Sequence, residues 1–234
     1  MTAPIAIACI ILVLVAATLW QRQVKLRREA FIRSFSLPKG LFDKLRQRHP
    51  QLGMKECQLV SHGLRQFFLA YLKSGHQFVS MPSQVADDLW HEFILYTRNY
   101  QAFCRQAFGR FLHHTPAVVL SDSRQSNTGL RRCWWFTCRD ENINPSTPTR
   151  LPLLFALDAK LAIPGGFHYA ADCQALRKVG PQGQTTSVVH CGGDFSSSSA
   201  DGSTEGFGDA HGGDSSDGGG DGGGCGGGCG GGGD

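Results

Sequence analysis

The chain has 234 residues, 41% of them hydrophobic, which leaves room for one domain of ordinary size and little more. Its net charge of +4 conceals a division: from Gly192 onward eight residues are acidic and none is Lys or Arg, which leaves 23 basic against 11 acidic residues before that point. The nine scattered cysteines match neither a secreted disulfide framework nor a paired C-x-x-C zinc site, and no P-loop, dinucleotide fingerprint or nucleophile elbow occurs.

Pro4 to Trp20 is an uncharged run of seventeen residues, at the short end of a membrane span. Arg22, Lys25, Arg27 and Arg28 follow at once. By the positive-inside rule this is a signal anchor with the N-terminus outside and the main domain cytoplasmic. Val15-Ala16-Ala17 can also pass as a cleavage site, so a signal peptide is the alternative. We divide the chain into a transmembrane anchor (1–21), a basic juxtamembrane linker (22–35), a helical domain (36–179) and a disordered Gly/Ser/Asp-rich tail (180–234).

Leu37-Pro38-Lys39-Gly40 opens a short helix with Leu41, Phe42 and Leu45 on one face, ended by Pro50. Its Lys44, Arg46 and Arg48 either rest on anionic headgroups or form a solvated face. From Lys55 to Ser74, Leu59, Val60, Leu64, Phe67, Phe68, Tyr71 and Leu72 recur at helical spacing, and Gly75 closes the segment. His62 and His76 flank that helix as structural or solvent-facing residues.

The stretch Met81 to Pro116 concentrates the chemistry. Ser83 is placed to cap a helix whose first turn carries Asp87 and Asp88, and Val85, Leu89 and Phe93 form its apolar face with Trp90 and Ile94 beside them. A second helix starts near Thr97, carries Tyr100, Phe103, Cys104 and Phe108 on one face, and stops at Gly109. In one straight helix His91 and Cys104 would stand about 20 Å apart. A hairpin bent near Thr97 brings them level, and His113 and His114 join only if the following loop folds back.

Asp87-Asp88-Leu89-Trp90-His91, followed by Tyr100, Cys104, Phe108-Gly109 and His114, resembles the signature of glycine-rich domain proteins known from plants, with bacterial relatives. The resemblance covers roughly residues 52–116, with the Gly-rich C-terminus as a looser echo. It implies a helical domain and brings no settled enzymatic activity. Where several relatives carry a second His shortly after Trp-His, this chain has Glu92, Phe93 and Ile94.

The residues themselves offer His91 as a metal ligand or general base, with Cys104 and His114 as partners, Asp87 and Asp88 as orienting carboxylates, and zinc as the candidate ion. A His-Asp hydrogen bond that only fixes the helices is the structural alternative. His91-Glu92-Phe93-Ile94-Leu95 lacks the second His of a zinc-protease helix.

Farther on, Leu130, Cys133, Trp134, Phe136, Thr137 and Cys138 read as one helix. Its paired tryptophans fit core packing better than stacking on nucleic acid, although Arg131, Arg132 and Arg139 are near. Leu151 to Leu161 is a short apolar core helix with Pro152 in its first turn, and Phe167 to Tyr169, Asp172 and Cys173 follow its stop. The last stretch is almost without apolar residues and is expected to be disordered, with Cys225 and Cys229 open to a soft metal, a disulfide or a modification. The expected fold is all-α, with about five or six helices, and its core includes Leu64, Phe67, Phe68, Leu89, Phe93, Phe103, Trp134, Phe155 and Leu157. The leading expectation for function is a membrane-anchored scaffold that binds an unidentified protein partner. A metal-binding or metal-dependent enzyme centred on His91 is the alternative.

Overall fold

The computed structural model describes residues 2–114, 124–171 and 189–191. Helix α1 (Thr2–Ser34) begins in the uncharged run and continues unbroken through the basic segment, with Pro4 in the first turn where its missing N–H costs nothing. From Pro4 to Ser34 it is long and apolar enough to cross a membrane, and its most apolar stretch is not buried at all. At about 1.5 Å per residue α1 is about 50 Å long, well beyond the ~30 Å hydrocarbon core of a bilayer.

The surplus length goes into the domain. Ile32 is fully buried, the Phe35 ring lies 4.6 Å from that of Phe103 and 5.7 Å from that of Phe93, and Phe31 reaches Phe103 at 5.8 Å. Of the segment expected as a linker, 22–35, all but Phe35 is therefore the second half of one helix, and Phe31, Ile32 and Phe35 at its end pack into the core. Each such side chain taken out of water contributes roughly 1.5–3 kcal/mol before entropy is counted.

Six further helices follow among the described residues: α2 (Leu41–Arg48), α3 (Met54–Lys73), α4 (Gln84–Leu95), α5 (Thr97–Ala107), α6 (Arg124–Asp140) and α7 (Leu153–Lys160). Helix α3 is central and packs against α1, α2, α4, α6 and α7. It approaches α7 closely because residue 63 is Gly: a Cβ there would come within 2.5 Å of Leu157 Cδ1. All nine expected core residues are buried. Trp134 is among them, its indole N–H donating to the Pro145 carbonyl at 3.1 Å. Trp135 is also buried and carries the Arg139 guanidinium 5.7 Å from its ring centroid.

Buried Asp158 at the end of α7 fastens that helix to the start of α4. Its Oδ1 accepts from the Ser83 hydroxyl (2.7 Å) and the Val85 N–H (3.2 Å), and its Oδ2 from the N–H groups of Gln84 (2.7 Å) and Phe167 (2.9 Å). Three orphan amides at a helix start and the following loop are thus satisfied by one carboxylate.

The all-α expectation holds, with one short parallel strand pair added to the helices. β1 (His168–Ala170) pairs with β2 (Val189–Cys191), Tyr169 opposite His190. β2 lies within the segment 180–234 expected as disordered tail. Its Val189 is β-branched and suits a strand, a signal hidden among Gly and Ser. The rest of that segment, with Cys225 and Cys229, and also Asp172 and Cys173, lies outside the described residues.

Candidate metal centre

The site is built on the first turns of α4. Ser83 sits at the N-cap in extended conformation, and its hydroxyl accepts from the Ala86 N–H. That start fixes the rotation of α4, which buries Val85, Leu89, Trp90 and Phe93 and leaves Asp87 and His91, one turn apart, on the outer edge. The His91 Nδ1–H donates to the Asp87 carbonyl at 2.9 Å, with an Asp87 carboxylate oxygen 3.4 Å away. Since a carbonyl can only accept, Nε2 of the neutral ring keeps its lone pair.

The third member arrives from 27 residues along the chain. Helices α4 and α5 break at Tyr96, and α5 ends at Phe108–Gly109, where Gly109 takes φ +72°. The chain then turns back over α4. Tyr100 holds it there, donating its hydroxyl proton to the Leu112 carbonyl at 2.6 Å while accepting from the Trp90 indole at 3.2 Å. Two residues later His114 packs edge-on against Trp90 with ring centroids 4.6 Å apart, and its Nε2–H donates to Asp87 Oδ1 at 2.8 Å. The His91 and His114 rings lie 4.1 Å apart, centroid to centroid.

Asp87, His91 and His114 each offer one ligand atom, and these atoms lie within 4.8 Å of one another. Side-chain exposure falls from 43% at His91 through 18% at Asp87 to 11% at His114, so the cluster is walled on the His114 side and open on the His91 side. Two imidazoles and one carboxylate with an open side are a donor set for a divalent transition ion that keeps positions for other ligands.

The other residues singled out from the sequence fall elsewhere. Cys104 lies in the core beside Tyr100 and the Leu112 backbone, away from this cluster, because α5 turns that face inward; burial pushes its thiol up, with those hydrogen bonds opposing. Asp88 is also turned aside. Its carboxylate accepts from Arg48 at 2.7 Å and pairs with the His49 Nε2 at 2.8 Å, fastening α2 to α4. His113 stacks beside Phe111 at 4.8 Å. Sequence reasoning gave Asp87 only an orienting role and placed Tyr100 on a helix face without a part in the site, since its spacing from Trp90 carried no hint of the bond to Leu112.

A family model described as UCP032817-like matches residues 27–195, a span that takes in every residue of this cluster. It is not described as one of glycine-rich domain proteins, so that resemblance rests on its own residues. No curated protein and no solved structure matches the chain.

Proposed function

The chain belongs to the UCP032817-like family, and from the cluster inside the matched span we propose that it is a single-pass membrane protein presenting a helical domain that binds one divalent transition ion, zinc being the first candidate. The observation that carries this reading is the convergence of Asp87, His91 and His114 from two separate chain segments onto one partly open spot. Asp87 and the two imidazoles would hold the ion. A bound ion with open positions supplies a Lewis acid, and the chain's part is to fix its ligands: α4 sets Asp87 and His91, and the Trp90–Tyr100–Leu112 connection holds His114. To act as ligands His114 and Asp87 would have to give up the proton they now share, so binding would weaken as the pH falls.

Support for the anchor comes from the exposed apolar length of α1, and for a cytoplasmic domain from Arg22, Lys25, Arg27 and Arg28 on its inner side. Metal analysis and thermal shift of the full chain in detergent test the proposal. Wild type takes up one equivalent of zinc and melts higher with it, and His91→Gln loses both effects while keeping its helical signal. A wild-type protein that neither retains zinc nor shifts on its addition contradicts the metal reading.

A further inference from the structure

Where α1 leaves its apolar stretch there is a second site unrelated to the cluster on α4. A cavity of about 340 Å³ opens between α1 and the end of α3, lined on one side by Trp20, Val24, Lys25 and Arg28 and on the other by Leu72 and His76. The α1 residues form one stripe at helical spacing, and that stripe runs on upward into the exposed apolar face. Lys25 is about 7.5 Å below Trp20 along the helix and Arg28 about 12 Å below it. With Trp20 at the hydrocarbon boundary, where Trp rings settle, Lys25 stands at the level of the headgroup layer and Arg28 about one turn below it.

The charge around this cavity is of one sign. Burial first, and then the charges of Arg110, Arg28 and Lys25, hold the His76 imidazole below its usual value. The guanidinium of Arg28 lies over Gly109, where a Cβ would overlap it, so the turn after α5 is shaped to receive it. Among the described residues no carboxylate pairs with Lys25, Arg28 or Arg110. Glu29, the nearest acid in sequence, lies 3.9 Å from Lys73 instead. The His76 Nε2 is buried without a hydrogen-bond partner, and Gly75 beside it takes φ +72° with open space where a side chain would stand.

We propose that this cavity holds the phosphate headgroup of an anionic phospholipid of the leaflet facing the domain, with Lys25, Arg28 and Arg110 as its cationic partners and Trp20 and Val24 against the start of its acyl chains. Lys25 and Arg28 line the open concavity without a carboxylate partner, and Arg110, whose charge also bears on His76, is hydrogen-bonded to the neutral Tyr71 hydroxyl, so the positive charge here calls for an anion. The apolar stripe above them, continuous with α1, favours a lipid over a soluble phosphate. The inference rests on the membrane-anchored reading of α1 but not on the metal centre.

The test uses the full chain in nanodiscs of mixed phosphatidylcholine and phosphatidylglycerol, with native mass spectrometry of the lipid retained after stripping. Wild type retains phosphatidylglycerol above its share of the bilayer. Lys25→Gln, Arg28→Gln and Arg110→Gln each lower that enrichment, by about fivefold per charge removed, whereas Lys39→Gln and Lys55→Gln, equal in charge change but outside the cavity lining, leave it unchanged. Enrichment that is absent, or lost equally in the remote variants, overturns the proposal. So does displacement of the lipid by millimolar inorganic phosphate, which would make this a soluble-anion site. Failure of the chain to enter nanodiscs at all is a separate result and refutes the anchor.

Discussion

His114 reaches back across 27 residues to set its Nε2 2.8 Å from Oδ1 of Asp87, while its ring rests on Trp90, three residues farther along the same helix. The contact exists because the chain after Gly109 is tied down by the Tyr100 hydroxyl at Leu112. Held from both ends, His114 has little freedom to leave Asp87, and the site is prepared before any ion arrives.

Tyr100→Phe tests that preparation. The substitution keeps the ring in the core but leaves the Leu112 carbonyl and the Trp90 N–H without their buried partner, at a cost of about 1–3 kcal/mol. Tyr100 is not a ligand, yet zinc affinity should fall about tenfold or more, as it does when groups that orient metal ligands are lost. A stability loss with unchanged affinity, measured by denaturation and by zinc titration of the same sample, would assign Tyr100 a purely structural part.

The helical core was open to view in the sequence, because Leu64, Phe67 and Phe68 repeat at the period that α3 buries and Ser83 and Gly109 mark ends that the structure uses. The site was legible only where it is local. Asp87 and His91 share one helix edge by spacing alone. Asp88 has nearly the same spacing from His91, and what turns it away is its bonding to Arg48 and His49, some forty residues earlier. The return of His114 and the exclusion of Cys104 likewise depend on the turn at Gly109 and on the Tyr100–Leu112 bond, which no periodicity records.

Asp158→Asn should be among the costliest single substitutions outside the aromatic core. The carboxylate accepts four hydrogen bonds, three of them from backbone N–H groups, and an amide replaces one acceptor with a donor facing donors. We expect a loss of about 3 kcal/mol or more in urea unfolding followed by helical signal. A loss below about 1 kcal/mol would mean that the junction of α4 and α7 is held by packing alone.

Stability should also depend on acid through Asp140. Burial alone would push its carboxyl up, but hydrogen bonds from Arg33 and Lys73, together with their charges, outweigh it and hold the group below its ordinary value of 3.8. A carboxyl depressed in the folded state stabilises the fold above its unfolded value, and that stabilisation disappears as the pH falls through the folded one. Unfolding midpoints of wild type should therefore drop as the pH is lowered below about 4, and Asp140→Asn should be less stable at neutral pH and flatter across that window. Parallel profiles for the two proteins would remove Asp140 from the account.

The central claim is the ligand set Asp87, His91 and His114, and cobalt(II) titration of the full chain carrying Cys225→Ser and Cys229→Ser reads it directly. The account predicts visible d–d bands that saturate at one equivalent, no thiolate charge-transfer band, and loss of the signal in Asp87→Ala, His91→Gln and His114→Gln but not in Cys104→Ser. Absence of a saturable spectrum, or a thiolate band that disappears with Cys104→Ser, would contradict it.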